Sequence, residues 1–126
     1  MLSQTTFHRL YRLSAWYDLA MSAPFALAPT AALLWSGLGA LGLVPAAALD
    51  AHAMLFANFF GSIVTLWSIL RLRLNQPALA RWDAMGRLSF SLAMATALAQ
   101  GGSPALIPIL AAEMAWAVLQ LLPVKR

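Results

Sequence analysis

Four stretches of about 20 residues, nearly free of charge, divide the chain and predict four helices, each long enough for a hydrocarbon core of ~30 Å. They run from Pro24 to Val44, from Ala51 to Leu70, over about 82–100, and from Pro104 to Leu122. Pro24 suits a first helical turn, where its missing N–H costs nothing. Pro29 must kink the first span or release carbonyls near its start, which is tolerable only where a neighbouring helix or hydroxyl satisfies them. Gly101 to Pro104 reads as a tight turn, and the longest non-helical piece, Arg73 to Ala80, is too short to fold alone. The expected fold is all-α, a four-helix membrane bundle forming one transmembrane domain over residues 1–126.

Residues 4–22 are too polar to cross a bilayer. Phe7, Leu10, Leu13, Tyr17 and Ala20 nevertheless recur at helical spacing, with Arg9 and Arg12 mostly off that line. Such a segment reads either as an amphipathic helix lying in the interface or as a cytoplasmic extension of the first span.

Composition strengthens the membrane reading: 62% of the 126 residues are hydrophobic and 10% are charged, far from the balance of an ordinary soluble domain. The eight Lys and Arg residues give a net charge of +4 but form no basic run, so a nucleic-acid partner is not expected. They read as membrane anchors. Arg9 and Arg12 precede the first span, Arg71, Arg73, Arg81 and Arg87 flank the second connection, and Lys125 and Arg126 close the chain. The other two connections carry none, which places both termini in the cytoplasm of a multi-pass protein of the bacterial inner membrane. Trp16, Tyr17, Trp67 and Trp82 fall at the same boundary, where amphipathic rings favour the headgroup layer. A secretory signal cleaved near Ala46 to Ala48 is the competing reading of the start, but the apolar run is too long for one. Without cysteine there is no disulfide or thiolate metal site, and His52 with Met54 is too sparse a pair to suggest a metal.

Polar groups inside the spans carry what functional signal there is. Glu113 stands ~13 Å into the fourth span at 1.5 Å per residue, and Asn58, Ser36 and Ser91 fall at comparable depth. An ionisable group at such depth must be paired or face the bundle interior. Glu113, Asn58, Trp116, Ser36, Ser91 and Trp35 are the candidate ligand-binding residues, with Glu113 expected to be neutral and able to donate; alternatively Asn58 and a protonated Glu113 merely exchange interhelical hydrogen bonds. The bland reading is that these residues are packing glue and core aromatics. Asp83 and Arg87 are spaced for a helical ion pair, and Asp18 is expected to join them in a cytoplasmic charge cluster. No catalytic set is visible: His8 and His52 belong to opposite faces, and no phosphate loop or metalloprotease motif occurs.

The architecture, with the AMSAPFALAP entrance and the NFFGSIVTLW segment, resembles the small DoxX-like bacterial inner-membrane proteins. That likeness covers the whole chain and implies an integral four-helix bundle, with no residue roles to carry across. The functional expectation is a non-enzymatic protein binding a hydrophobic ligand, a quinone or lipid, or serving as accessory subunit of a membrane complex. Alternatives are a transporter or proton-coupled channel using Glu113, and a membrane isomerase or lipid-modifying enzyme. Ala32, Ser36 and Ala40 form a small-residue ladder that suits a homo-oligomer.

Overall fold

The computed structural model describes residues 1–125, and among them the chain is all-helical. Five α-helices follow one another: α1 (Gln4–Ser22), α2 (Ala28–Ala40), α3 (Ala51–Leu74), α4 (Ala80–Ala99) and α5 (Leu106–Leu121). Short 3-10 turns at Ala23–Ala26 and Pro77–Leu79 lead into α2 and α4. The helices gather into two compact units. A terminal unit combines residues 1–14 with residues 75–125, and a central unit holds Ala15–Leu74. Helix α1 supplies residues to both.

In the terminal unit α4 and α5 form an antiparallel hairpin, in which residues 83 and 87 of one helix meet residues 120 and 113 of the other. Gly101 permits the reversal. Its φ of +88° lies in the left-handed region, and the Gly102 N–H reaches back to the Ala97 carbonyl at 2.8 Å, while Gly101 N–H donates to Leu98 at 3.1 Å. These two bonds are the usual satisfaction of a helix C-terminus by a left-handed glycine. Phe7 and Tyr11 of α1 pack with Ala80 in a small apolar cluster flanked by Leu2, Leu79 and Val124. The ends of the chain are tied together, since Leu2 N–H donates to the Pro123 carbonyl at 3.0 Å and Lys125 N–H to that of Leu2 at 2.9 Å.

The central unit is organised around a break. The first expected span, Pro24 to Val44, is not one helix, because Leu27 is extended (φ −125°, ψ 138°) and α2 leaves at 104° to the helical segment Gln4–Ala26. Pro29 accounts for the break: lacking an N–H, it cannot donate to the Phe25 carbonyl, so the helix ending at Ala26 cannot run through it. In the first turn of α2 the same residue costs nothing. The 13 residues of α2 span only ~20 Å. Helix α3 matches the second expected span and continues to Leu74; Asp50 caps it by accepting from Ala53 N–H at 2.8 Å. Among the described residues, α3 is the one helix long and apolar enough to cross a membrane by itself, and α1 with α2 passes that test only as a bent pair.

Residues 4–22 are helical, as the periodicity predicts. Phe7, Tyr11, Ser14, Ala15, Asp18 and Ser22 are buried, whereas Leu13 and Trp16 are exposed. Beyond Tyr11, small and polar side chains point inward while Leu13 and Trp16 point outward. Among the described residues as a whole, the buried hydrophobic residues apart from Phe7 and Tyr11 are all alanines, while Asp18, Arg71, Asp83, Arg87 and Glu113 are buried.

Candidate functional site

Both units have a polar interior built on an arginine. In the terminal unit Arg87, 2% exposed, stands between two carboxylates. Its Nη1 donates to Glu113 Oε2 at 2.8 Å and its Nε to Asp83 Oδ2 at 3.1 Å. Gln120 extends the network by donating from Nε2 to Asp83 Oδ2 at 2.6 Å and to Ser14 Oγ at 2.9 Å. Ser14 in turn donates to the Tyr11 carbonyl at 2.9 Å. Helical spacing explains the convergence, because Asp83, Arg87 and Ser91 are one turn apart on α4, and Glu113, Ala117 and Gln120 line one side of α5.

The central unit repeats the scheme with other residues. Arg71, fully buried, donates from Nη1 to Asp18 Oδ2 at 2.7 Å. Ser22 Oγ and Thr65 Oγ1 share a hydrogen bond of 3.2 Å between α1 and α3, and Ser68 Oγ donates to the Val64 carbonyl at 2.7 Å. The carbonyls around the Leu27 break are also answered. Asn58 Nδ2 donates to Phe25 at 2.8 Å, Ser62 Oγ to Ala26 at 3.4 Å, and Thr30 Oγ1 to Pro24 at 2.6 Å. Gly61 lies against the Phe25 and Ala26 backbone so closely that a Cβ would collide with it, so glycine is needed for this approach.

Several expectations are corrected here. Glu113 is not a lone neutral donor to Asn58: it accepts from Arg87, and Asn58 has found a backbone carbonyl. Asp83 and Arg87 do pair as the spacing predicts, near the start of α4, and both are buried. Asp18 pairs with Arg71, a residue read from sequence as a membrane anchor. Of the remaining candidates, Ser91 is buried in the terminal unit and Trp116 half-buried there. In the central unit Trp35 donates from Nε1 to the Ala47 carbonyl at 3.0 Å, and Ser36 is exposed. The six candidates are thus divided between the two units. Two groups in the terminal unit keep an unanswered acceptor or hydroxyl: Ser91 Oγ and Gln120 Oε1 are buried without a hydrogen-bond partner.

Sequence reasoning missed a cavity of about 590 Å³ in the terminal unit, within the size range of small-molecule sites. Phe7, Leu122 and Val124 give it apolar walls, and His8, Arg81 and Gln120 give it polar ones. Residues from both ends of the chain meet there, so no local motif announces it. His8 is held in place by donating from Nε2 to Asn75 Oδ1 at 2.7 Å. Asn75 itself has φ +51°, the left-handed conformation that asparagine tolerates just beyond a helix end such as that of α3.

As a chemical arrangement, the two arginine-centred networks hold helices together, and the cavity offers a concave surface of mixed polarity. Among the described residues no three His, Asp or Glu side chains converge as metal ligands. Compared with protein-family models, with curated proteins and with solved structures, the chain matches none.

Proposed function

We propose that the chain is a multi-pass membrane protein, not an enzyme, that binds an amphipathic ligand such as a lipid or quinone in the cavity of the terminal unit. The observation that carries this reading is the reversed distribution of side chains. Leu55, Phe56, Phe59, Ile63 and Leu66 of α3 are exposed, while Arg71, Arg87, Asp83 and Glu113 are buried. In water this arrangement forfeits the transfer free energy of every exposed large side chain, ~1.5–3 kcal/mol each, and adds the cost of desolvating ions. In lipid the apolar faces cost nothing, and the charged groups belong inside. On this reading α1 with α2 is a broken crossing, α3, α4 and α5 complete the bundle, and both termini are cytoplasmic.

Assignment of Glu113 to packing, and of ligand binding to the cavity, is supported by the arginine that holds the carboxylate and by the mixed polarity of the cavity walls. Alkaline extraction of membranes tests the first half of the proposal. The protein is expected to stay with the bilayer, and release to the supernatant overturns the reading. Mass spectrometry of the purified protein tests the second half, with a retained lipid or quinone as the expected result.

A second reading concerns assembly. Ala32, Ser36 and Ala40 are all exposed on one line of α2, which leaves this small-residue ladder available to a second copy or a larger membrane complex.

A further inference from the structure

We infer that the cavity in the terminal unit selects an anionic phospholipid, with Arg81 binding its phosphate. This rests on the membrane reading above and deepens it. Charge is the first argument. None of the described residues lining the cavity is Asp or Glu, and an adjoining hollow that shares Gln4 and His8 adds Arg9. Arg71 and Arg87 are engaged in buried ion pairs, but Arg81 has no carboxylate partner among the described residues. A guanidinium at the wall of an acid-free cavity suits a phosphate, whose oxygens match its fork of donors.

Net headgroup charge then decides between lipids. A choline headgroup carries a cation that offsets its phosphate, and a quinone has no negative charge. Phe7, Leu122 and Val124 then serve the first methylenes of the acyl chains. The positive-inside assignment places Pro77, Arg81 and both chain ends at the cytoplasmic surface, where headgroups lie.

Native mass spectrometry of the full chain, exchanged from detergent against defined lipids, provides the test. Dioleoylphosphatidylglycerol is expected to be retained about tenfold over dioleoylphosphatidylcholine, the scale of one charge-assisted hydrogen bond. Arg81→Gln should erase that preference, whereas Arg73→Gln, which removes an exposed arginine outside the cavity, should keep it. Ala78→Trp, filling the cavity from an exposed wall position, should lower retention of any occupant. Equal retention of the two lipids by folded protein, or an undiminished preference in Arg81→Gln, overturns the inference. So does complete displacement by glycerol 3-phosphate at equal concentration, which would make the site one for a free phosphate. Retention of a long-chain quinone in place of the anionic lipid, abolished by Ala78→Trp, refutes the headgroup assignment and leaves amphiphile binding standing. No retained amphiphile of any kind removes both.

Discussion

Arg87 donates to Glu113 and Asp83 from two different nitrogens, so one guanidinium closes the α4–α5 hairpin and also bridges one turn of α4. Removing one partner of a buried ion pair leaves an uncompensated charge and costs about 3–5 kcal/mol. Arg87→Leu strands two carboxylates and should lie at the upper end of that range. Glu113→Leu leaves Arg87 with Asp83 and should lie at the lower end. Thermal unfolding in detergent measures both, and equal stability of Glu113→Leu and wild type would contradict the role assigned to this pair.

The central unit has its own test in Asp18 and Arg71. Arg71→Met combined with Asp18→Leu replaces both charges by apolar groups, and such replacements are often neutral or stabilising where single removals are costly. The double variant should therefore unfold well above Arg71→Met alone. Additive losses in the double-mutant cycle would show that the two side chains are not coupled.

Backbone contact between α3 and the Ala23–Ala26 turn predicts a third result. Gly61→Val places two methyl groups where even a Cβ collides with Phe25 and Ala26, so it should prevent native packing of the central unit. Asn58→Leu is milder, since it leaves the Phe25 carbonyl unanswered at a cost of about 1–3 kcal/mol. Hydrogen exchange localised to residues 23–30 distinguishes the two: Asn58→Leu should raise it there while α3 stays protected, and unchanged exchange would refute the hydrogen bond's importance.

These examples show how much could be read from the chain beforehand. Pro29 was legible as a break needing outside donors, because its chemistry is local, and the donors are Asn58 and Ser62 of the next helix. The inward face of α1 was not legible, because Ser14, Asp18 and Ser22 are buried on it while Leu13 and Trp16 are exposed. Long-range pairing was the least legible. Glu113 and Arg87 are 26 positions apart, Asp18 and Arg71 are 53 apart, and Gln120 and Ser14 are 106 apart, so spacing along one helix could not reveal them. The same distance hid the cavity, which exists only when residues near 4–8 meet those near 77–81 and 120–124.

Orientation is tested by accessibility. Cysteines replacing Ala47 and Ser103 should react with an impermeant thiol reagent added outside spheroplasts, and cysteines replacing Ala78 and Lys125 should react only after lysis. Labelling of Ala78→Cys in intact spheroplasts reverses the orientation.

Self-association is tested at Ser36, which is exposed and makes room for a second helix. Ser36→Leu should weaken crosslinked dimer without lowering the unfolding temperature. Unchanged crosslinking in a folded variant removes the ladder from the interface.

Residues 1–14 fold together with residues 75–125, and this has a consequence for the birth of the protein. Every partner that the central unit needs, Asp18, Asn58, Gly61 and Arg71 among them, has been synthesised by the time Leu74 is joined. Phe7, Tyr11 and Ser14 must wait for Ala80, Gln120 and Val124. At ~5–20 residues per second, the beginning of the chain remains without its final neighbours for several seconds while the rest emerges. A stretch that waits through this time is thus one that will form a wall of the cavity, which exists only once residues 120–124 have been made.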